Sequence, residues 1–108
     1  MNRLILVSYS TNNGQIVKEL LDNDYQLNVL KHTNNYSEID IIYLSVSGSS
    51  YQEKQQNASD LAKRFQDFMF TTCNIDLSIL EVSRVCEFFE KIGFRYGLTK
   101  EFQEEGII

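Results

Sequence analysis

The sequence predicts an α/β fold, with a small three- or four-stranded, mostly parallel sheet in the order 2-1-3, flanked by helices and followed by a helical C-terminus. Two observations predict it. Apolar runs at residues 3–9 and 39–46 have the length of buried strands, and each leads into a polar loop and then a helical pattern. Strands that alternate with helices usually form a parallel sheet. We therefore predict a single α/β domain over residues 1–108.

The first predicted helix follows the first strand directly. Thr11, Asn12 and Asn13 are residue types that cap helix N-termini by accepting backbone N–H bonds. Apolar residues then recur at helical spacing: Ile16, Val17, Leu20 and Leu21. These features predict a helix over residues 15–21, ended by the polar pair at 23–24.

A second strand is predicted over residues 25–31, and its link to the third strand leaves two arrangements open. Alternate residues share one face of this strand: Tyr25, Leu27 and Val29. The link at 32–38 lacks helical periodicity and is short for a parallel crossover. Either it runs extended across the sheet, or strands two and three are antiparallel. We favour the parallel arrangement because the third strand, residues 39–46, is apolar on both faces.

Two capping boxes mark the helices of the second half, Ser50-x-x-Glu53 and Ser78-x-x-Glu81. Each box precedes an apolar stripe, with Ala58, Leu61, Ala62, Phe65, Phe68 and Met69 in the first helix and Val82, Val85, Cys86, Phe89 and Ile92 in the second. Residues 70–77 between the helices are predicted as a short edge strand.

The chain is predicted to end in a short helix. Gly97 is a suitable residue to stop the preceding helix, because glycine readily adopts the left-handed backbone of a helix C-cap. Thr99 is a candidate cap for the last helix, which we expect to end near Gly106.

The composition excludes several classes of protein. The chain has 108 residues, is 43% hydrophobic and carries a formal net charge of −5. That charge argues against a protein that binds nucleic-acid phosphates through a basic face. No apolar run approaches the roughly 20 residues of a membrane helix. Cys73 and Cys86 fit no zinc or redox spacing, and we expect a cytoplasmic protein with reduced cysteines.

The polar loop after the first strand, residues 8–14, is rich in hydroxyl groups and precedes a predicted helix N-terminus. Backbone N–H groups and the helix dipole favour a phosphate at such a position. Here the chain resembles the flavodoxins, most closely the flavodoxin-like proteins that support class Ib ribonucleotide reductase. The resemblance implies FMN as cofactor, with phosphate contacts from Ser8, Ser10, Thr11, Asn12 and Asn13, and flavin-ring contacts from Gly48, Ser49 and Tyr51. Ordinary helix capping and chain turning is the alternative interpretation.

No convincing catalytic set is present. His32 is the only histidine, so a Ser–His or Cys–His pair would have to form around it, and an exposed loop position is expected instead. The serines lack the Gly-x-Ser-x-Gly pattern of hydrolases. Paired carboxylates for acid–base or metal chemistry would have to come from Asp22, Asp24, Glu38 and Asp40, whose spacing matches no known motif.

The C-terminal helices carry aromatic and acidic residues that suggest a partner surface. The aromatics lie partly off the main apolar stripe: Phe88, Phe94, Tyr96 and Phe102. An acidic rim is supplied by Glu87, Glu90, Glu101, Glu104 and Glu105. The alternative interpretation is that these aromatic residues belong to the core and the acidic residues to an ordinary solvated face.

We predict a small acidic, non-enzymatic protein that binds another macromolecule, such as a phage or mobile-element regulator or inhibitor. A reduced flavodoxin-like module that binds FMN or another phosphorylated ligand, for electron transfer or sensing, is the second hypothesis, and a homodimer the third.

Overall fold

A computed structural model describes residues 4–33, 39–70 and 73–108, which fold as two compact units. The sheet unit lies within residues 4–45 and 73–78. The helical unit comprises residues 46–70 and 79–108. The chain therefore leaves the helical unit after its first helix and returns to it after residue 78.

The described residues of the sheet unit form three strands and one helix, in the order β1 (Leu4–Ser10), β2 (Ile16–Leu21), α1 (Asp24–Thr33) and β3 (Ile39–Leu44). The spatial order of the strands is β2-β1-β3, and β1 pairs antiparallel with both neighbours. The predicted mostly parallel, flavodoxin-like sheet is therefore wrong. The prediction for residues 39–46 as a strand is confirmed by β3.

A tight turn, rather than a helix, follows β1. The Gly14 N–H donates to the Thr11 carbonyl (3.0 Å), and the Thr11 N–H donates to the Gln15 carbonyl (2.8 Å). Gly14 has a φ of 77°, a conformation that glycine adopts without strain. These bonds close a hairpin that pairs Ser10 with Ile16, so the helix predicted over 15–21 is wrong.

Helix α1 occupies the segment that was predicted as the second strand. The Asn23 side-chain oxygen accepts the Gln26 backbone N–H (2.9 Å), and the Gln26 side-chain oxygen accepts the Asp22 N–H (2.7 Å). These reciprocal bonds cap the helix N-terminus as a capping box does. His32 lies exposed in the last turn of α1 rather than in a loop. Of the predicted link at 32–38, residues 34–38 lie outside the described part of the chain.

One face of the sheet forms the core of this unit together with α1. Its buried cluster consists of Ile5, Val7, Tyr9, Val17 and Leu27. Partly buried residues pack against it: Leu21, Leu30, Ile39 and Ile41. The opposite face of the sheet is buried as well, at Leu6, Leu20, Ile42 and Leu44. In β3, burial of Ile42 and Leu44 on one face and partial burial of Ile39 and Ile41 on the other explain its nearly continuous apolar sequence, without requiring parallel neighbours.

The helical unit consists of α2 (Tyr51–Phe70), α3 (Ile79–Tyr96) and α4 (Thr99–Glu104). The apolar stripes predicted for the first two helices are largely buried, with Met69, Val82 and Cys86 intermediate. Phe89 is fully buried at the centre of the unit, with ring centroids 5.1 Å from Phe65, 5.2 Å from Phe88 and 6.0 Å from Phe102. Aromatic packing of this kind holds the three helices together.

The observed ends of these helices match the stop residue predicted for α3 but not the capping residue predicted for α4. Helix α3 stops before Gly97, whose φ is 69°, as predicted. Leu98, and not Thr99, occupies the N-cap of α4, and it makes no side-chain capping bond. Of the edge strand predicted at 70–77, Phe70 is helical and Ile75 forms a single bridge with Val17, while Thr71 and Thr72 lie outside the described residues.

Candidate functional site

The residues predicted to hold a phosphate lie in the first hairpin. Ser8 and Ser10 belong to β1, and Thr11, Asn12 and Asn13 form the turn. The segment after the turn is the strand β2, so no helix N-terminus follows the loop. The physical basis of the phosphate prediction, a helix dipole with free N–H groups, is therefore absent at this loop. FMN binding stays a prediction.

The residues predicted to contact the flavin ring lie at the start of α2, in the other unit. The Glu53 N–H donates to Ser50 Oγ (3.1 Å), as the capping-box pattern predicts. The Glu53 carboxylate accepts the Ser49 hydroxyl (2.7 Å) and the Ser49 N–H (3.3 Å). The Tyr51 ring lies 5.7 Å from that of Tyr96. Ser49 and Tyr51 thus begin the helix and pack it, which is a structural role.

The capping interaction at Glu53 predicts a pH-dependent contribution to stability. The hydrogen bonds from the Ser49 hydroxyl and N–H hold the pKa of the Glu53 carboxyl below its ordinary value of 4.5. Because the pKa is lower in the folded chain, the stabilisation is present above 4.5 and is lost as the pH falls through the folded-state pKa. We expect Glu53→Gln to be slightly less stable than wild type at neutral pH and equally stable in acid, measured by urea unfolding. Ser49→Ala is the matched control and should weaken the same pH dependence, whereas a pH-independent difference for Glu53→Gln would contradict this account.

Three polar side chains from neighbouring strands form a row on the face of the sheet opposite α1. Ser8 is paired with Lys18 on one side and with Asp40 on the other, so the three side chains share a face. Lys18 is 1% exposed and is among the largest fully buried side chains. Its Nζ lies 3.9 Å from Asp76 Oδ1. Sequence analysis missed this lysine because its segment was interpreted as a helix, where it falls on a polar face.

The chemistry available to this row is limited by the burial of Lys18. A hydroxyl beside an amine is the pairing that serine–lysine hydrolases use, in which the amine acts as base. The Lys18 side chain, however, has 0% exposed surface and lies close to a carboxylate. A buried ammonium held in this way stabilises the position of the carboxylate, so we assign Lys18 a structural role that fixes residue Asp76.

The predicted aromatic and acidic surface of the C-terminal helices is divided between buried, partly buried and exposed side chains. Tyr96 and Phe102 are buried, and Phe88 is partly buried, whereas Phe94 is 86% exposed. Of the acidic residues, Glu87, Glu90 and Glu104 are exposed. Glu101 accepts a hydrogen bond from Ser59 Oγ (3.0 Å), and the Glu105 carbonyl accepts one from Gln66. Of the five acidic side chains, that of Glu101 therefore bonds to another helix, and that of Glu105 has a buried oxygen, Oε2, instead of forming part of an exposed rim.

A different apolar surface is exposed at one end of the α2–α3 pair. Phe70 at the end of α2 is 83% exposed, and Ile79 and Leu80 at the start of α3 are 88% and 78% exposed. The two helices are antiparallel, because Gln55 Nε2 donates to the Tyr96 carbonyl near one end while the later Phe65 contacts the earlier Phe89. Phe70, Ile79 and Leu80 consequently lie at the same end, which we call the apolar tip.

The position of Leu80 in the sequence of α3 gives one indication of this tip. Leu80 lies off the apolar stripe that runs from Val82 to Ile92, and Ile79 extends that stripe before its first buried residue. Periodicity therefore predicts no helical partner for Leu80, whereas it predicts burial for Ile79, which lies ahead of the buried part of the helix. The assignment of 70–77 to a strand also concealed the position of Phe70.

The remaining candidates carry no site. Within residues 4–33, 39–70 and 73–108, no group of three or more His, Cys, Asp or Glu side chains is placed to hold a metal ion. Of the proposed carboxylates, Glu38 lies outside these ranges. Cys73 and Cys86 are free thiols, each partly buried. Burial, and secondarily the charge of Glu90, raises the pKa of the Cys86 thiol, which disfavours the reactive thiolate.

Comparisons with known proteins find no relative for this chain. No family model, no curated protein and no solved structure matches it. No helix in the described ranges is long and apolar enough to cross a membrane.

Proposed function

We propose that this chain is a small, non-enzymatic binding protein that engages a protein partner through the apolar tip of its helical unit. The observation that carries the proposal is the almost complete exposure of Phe70, Ile79 and Leu80 at one end of the α2–α3 pair. Single exposed apolar residues are normal on protein surfaces, whereas clusters of them mark interaction sites.

The energetics favour burial of the tip in a complex. Transfer of a Phe, Ile or Leu side chain from water into an apolar environment contributes about 1.5–3 kcal/mol. Three such side chains together are enough to offset a substantial part of the entropy lost on association. The neighbouring buried aromatic core also holds these helices rigidly, which lowers the cost of presenting the tip.

A protein partner suits the tip better than a nucleic acid does. The net charge of −5 opposes binding to phosphate backbones. Large apolar side chains on a rigid helix end instead fit into an apolar groove of another protein, where a few anchors supply most of the binding energy. The best partner is therefore a protein with an apolar groove of this size.

Site-specific photo-crosslinking tests the proposal. A benzophenone analogue of phenylalanine is introduced at Phe70 in one variant and at Phe94 in another, in cells of the source organism. The two positions are matched, because both are phenylalanines and their exposures are 83% and 86%. We expect one defined protein to be crosslinked from position 70 and not from position 94. The same products from both positions, or none from position 70, would contradict the proposal.

A further inference from the structure

Residues 73–78, which we call the strap, lie along the outer edge of β2. The N–H groups of Asn74 and Ile75 both donate to the Ile16 carbonyl (3.1 Å each). The Lys18 N–H donates to the Ile75 carbonyl (2.9 Å), and the Ile16 N–H donates to Asn74 Oδ1 (3.2 Å). The strap thus satisfies backbone groups that would otherwise form an open sheet edge.

An ion pair fixes the register of the strap. Ile75 is bridged to Val17 in a parallel sense, so these two side chains share one face of the sheet. Asp76, the next residue, falls on the opposite face, which is the face of Lys18. The 3.9 Å distance between Lys18 Nζ and Asp76 Oδ1 agrees with this geometry. The edge therefore has a position for an apolar residue followed by a position for a carboxylate.

The strap is held more weakly than the three strands. The centre of the strap is exposed at Asn74, Ile75 and Asp76, and its other apolar residues, Cys73 and Leu77, are only partly buried, so the strap contributes little apolar burial. Its backbone contact with β2 consists of one bridge with three hydrogen bonds, whereas β1 pairs with each neighbour over six positions. Segments with few buried apolar contacts and exposed backbone hydrogen bonds open at low free-energy cost.

We propose that the strap is an internal ligand, and that the β2 edge accepts an extended segment of a partner protein in its place. Strand addition of this kind takes affinity from backbone hydrogen bonds and specificity from alternate side chains. The incoming segment runs parallel to β2, with an apolar residue opposite Val17 followed by an Asp or Glu that takes the place of Asp76. Charge complementarity favours this occupant, because the buried Lys18 ammonium already lies 3.9 Å from a strap carboxylate and would attract an incoming one at the same position. The β2 edge and the apolar tip belong to different units, and either proposal stands without the other.

A peptide titration tests the inference on the full chain. The probe is a synthetic peptide of the strap sequence, Ser-Asn-Ile-Asp-Leu-Ser, in which serine replaces Cys73. The strap of the protein is loosened in the variant Ile75→Pro/Asp76→Ala, which removes one N–H donor and the carboxylate. We expect amide NMR signals of Ile16 and Lys18 to shift on titration, with binding about tenfold tighter for the variant than for wild type, because the competing strap is removed.

A matched peptide and a second variant complete the test. The peptide with Asn in place of its Asp is expected to lose most of the gain in affinity, since it cannot pair with Lys18. If the double variant does not fold, Asp76→Asn alone is used, and faster hydrogen exchange of the Lys18 amide than in wild type is expected. Three results would overturn the inference: no shifts at Ile16 and Lys18 in a folded variant, equal affinity for both peptides, or a variant that exchanges straps between copies and becomes a dimer by light scattering.

Discussion

Replacement of Phe89 by alanine is expected to destabilise the helical unit by about 3–5 kcal/mol. Phe89 is 0% exposed and contacts aromatic rings from α2, α3 and α4, so its removal leaves a cavity where the three helices meet. A loss of this size is a large fraction of the 5–15 kcal/mol that usually stabilises a domain, about half in many cases. Urea unfolding followed by helical circular dichroism measures it.

Phe94→Ala is the control for this prediction. It removes the same side chain from the same helix, but Phe94 is 86% exposed and we expect a change of less than about 0.5 kcal/mol. Equal destabilisation by the two substitutions would show that the aromatic core is not arranged as described.

Replacement of Lys18 by alanine is expected to cost about 2 kcal/mol, whereas Lys18→Met should change the stability by less than about 1 kcal/mol. The alanine variant leaves a void where the fully buried side chain lay. Methionine fills that volume and removes a buried charge, which often offsets the loss of an ion pair. Asp76 is 51% exposed, so water solvates its carboxylate once the lysine is gone.

Comparison of the two Lys18 variants also shows whether Lys18 stabilises the sheet by packing or by the charge of its ammonium group. If Lys18 only packs and holds the strap, the methionine variant retains the native fold with a looser strap. A methionine variant as unstable as the alanine variant would show that the ammonium itself stabilises the sheet, through more than its pairing with Asp76.

The long helices were predictable from the sequence because their apolar stripes extend over several turns. The stripes from Ala58 to Phe68 and from Val85 to Ile92 are buried as expected. Over so many residues, a period of 3.6 is not easily confused with the period of two in a strand.

The first hairpin was mispredicted because its second strand is short. The apolar residues of Ile16–Leu21 fit a helical stripe, but they also fit a strand that is buried on both faces. The Asn13-Gly14 dipeptide between two apolar runs was the stronger signal, since it favours the turn of a β-hairpin. The Asn23-x-x-Gln26 spacing, which caps α1, was likewise taken for a helix end.

These errors determined the prediction of the candidate site. Because a strand, and not a helix, follows the polar loop, no helix N-terminus lies beside it. The physical reason for expecting a phosphate there is therefore lost. The apolar tip could not be found from periodicity, because the exposure of Ile79 and Leu80 depends on where the helix begins relative to its packing partner. The burial of Lys18 was not predicted because its segment was interpreted as a helix and not as the strand β2.

The central claim is that the apolar tip binds a protein, and the affinity of the purified crosslinked partner tests it most directly. Isothermal titration calorimetry compares wild type with the triple variant Phe70→Ala/Ile79→Ala/Leu80→Ala and with Phe94→Ala. We predict that the triple variant binds about a hundredfold more weakly, roughly 3 kcal/mol, while Phe94→Ala binds as wild type does. An unchanged affinity for a folded triple variant would contradict the claim.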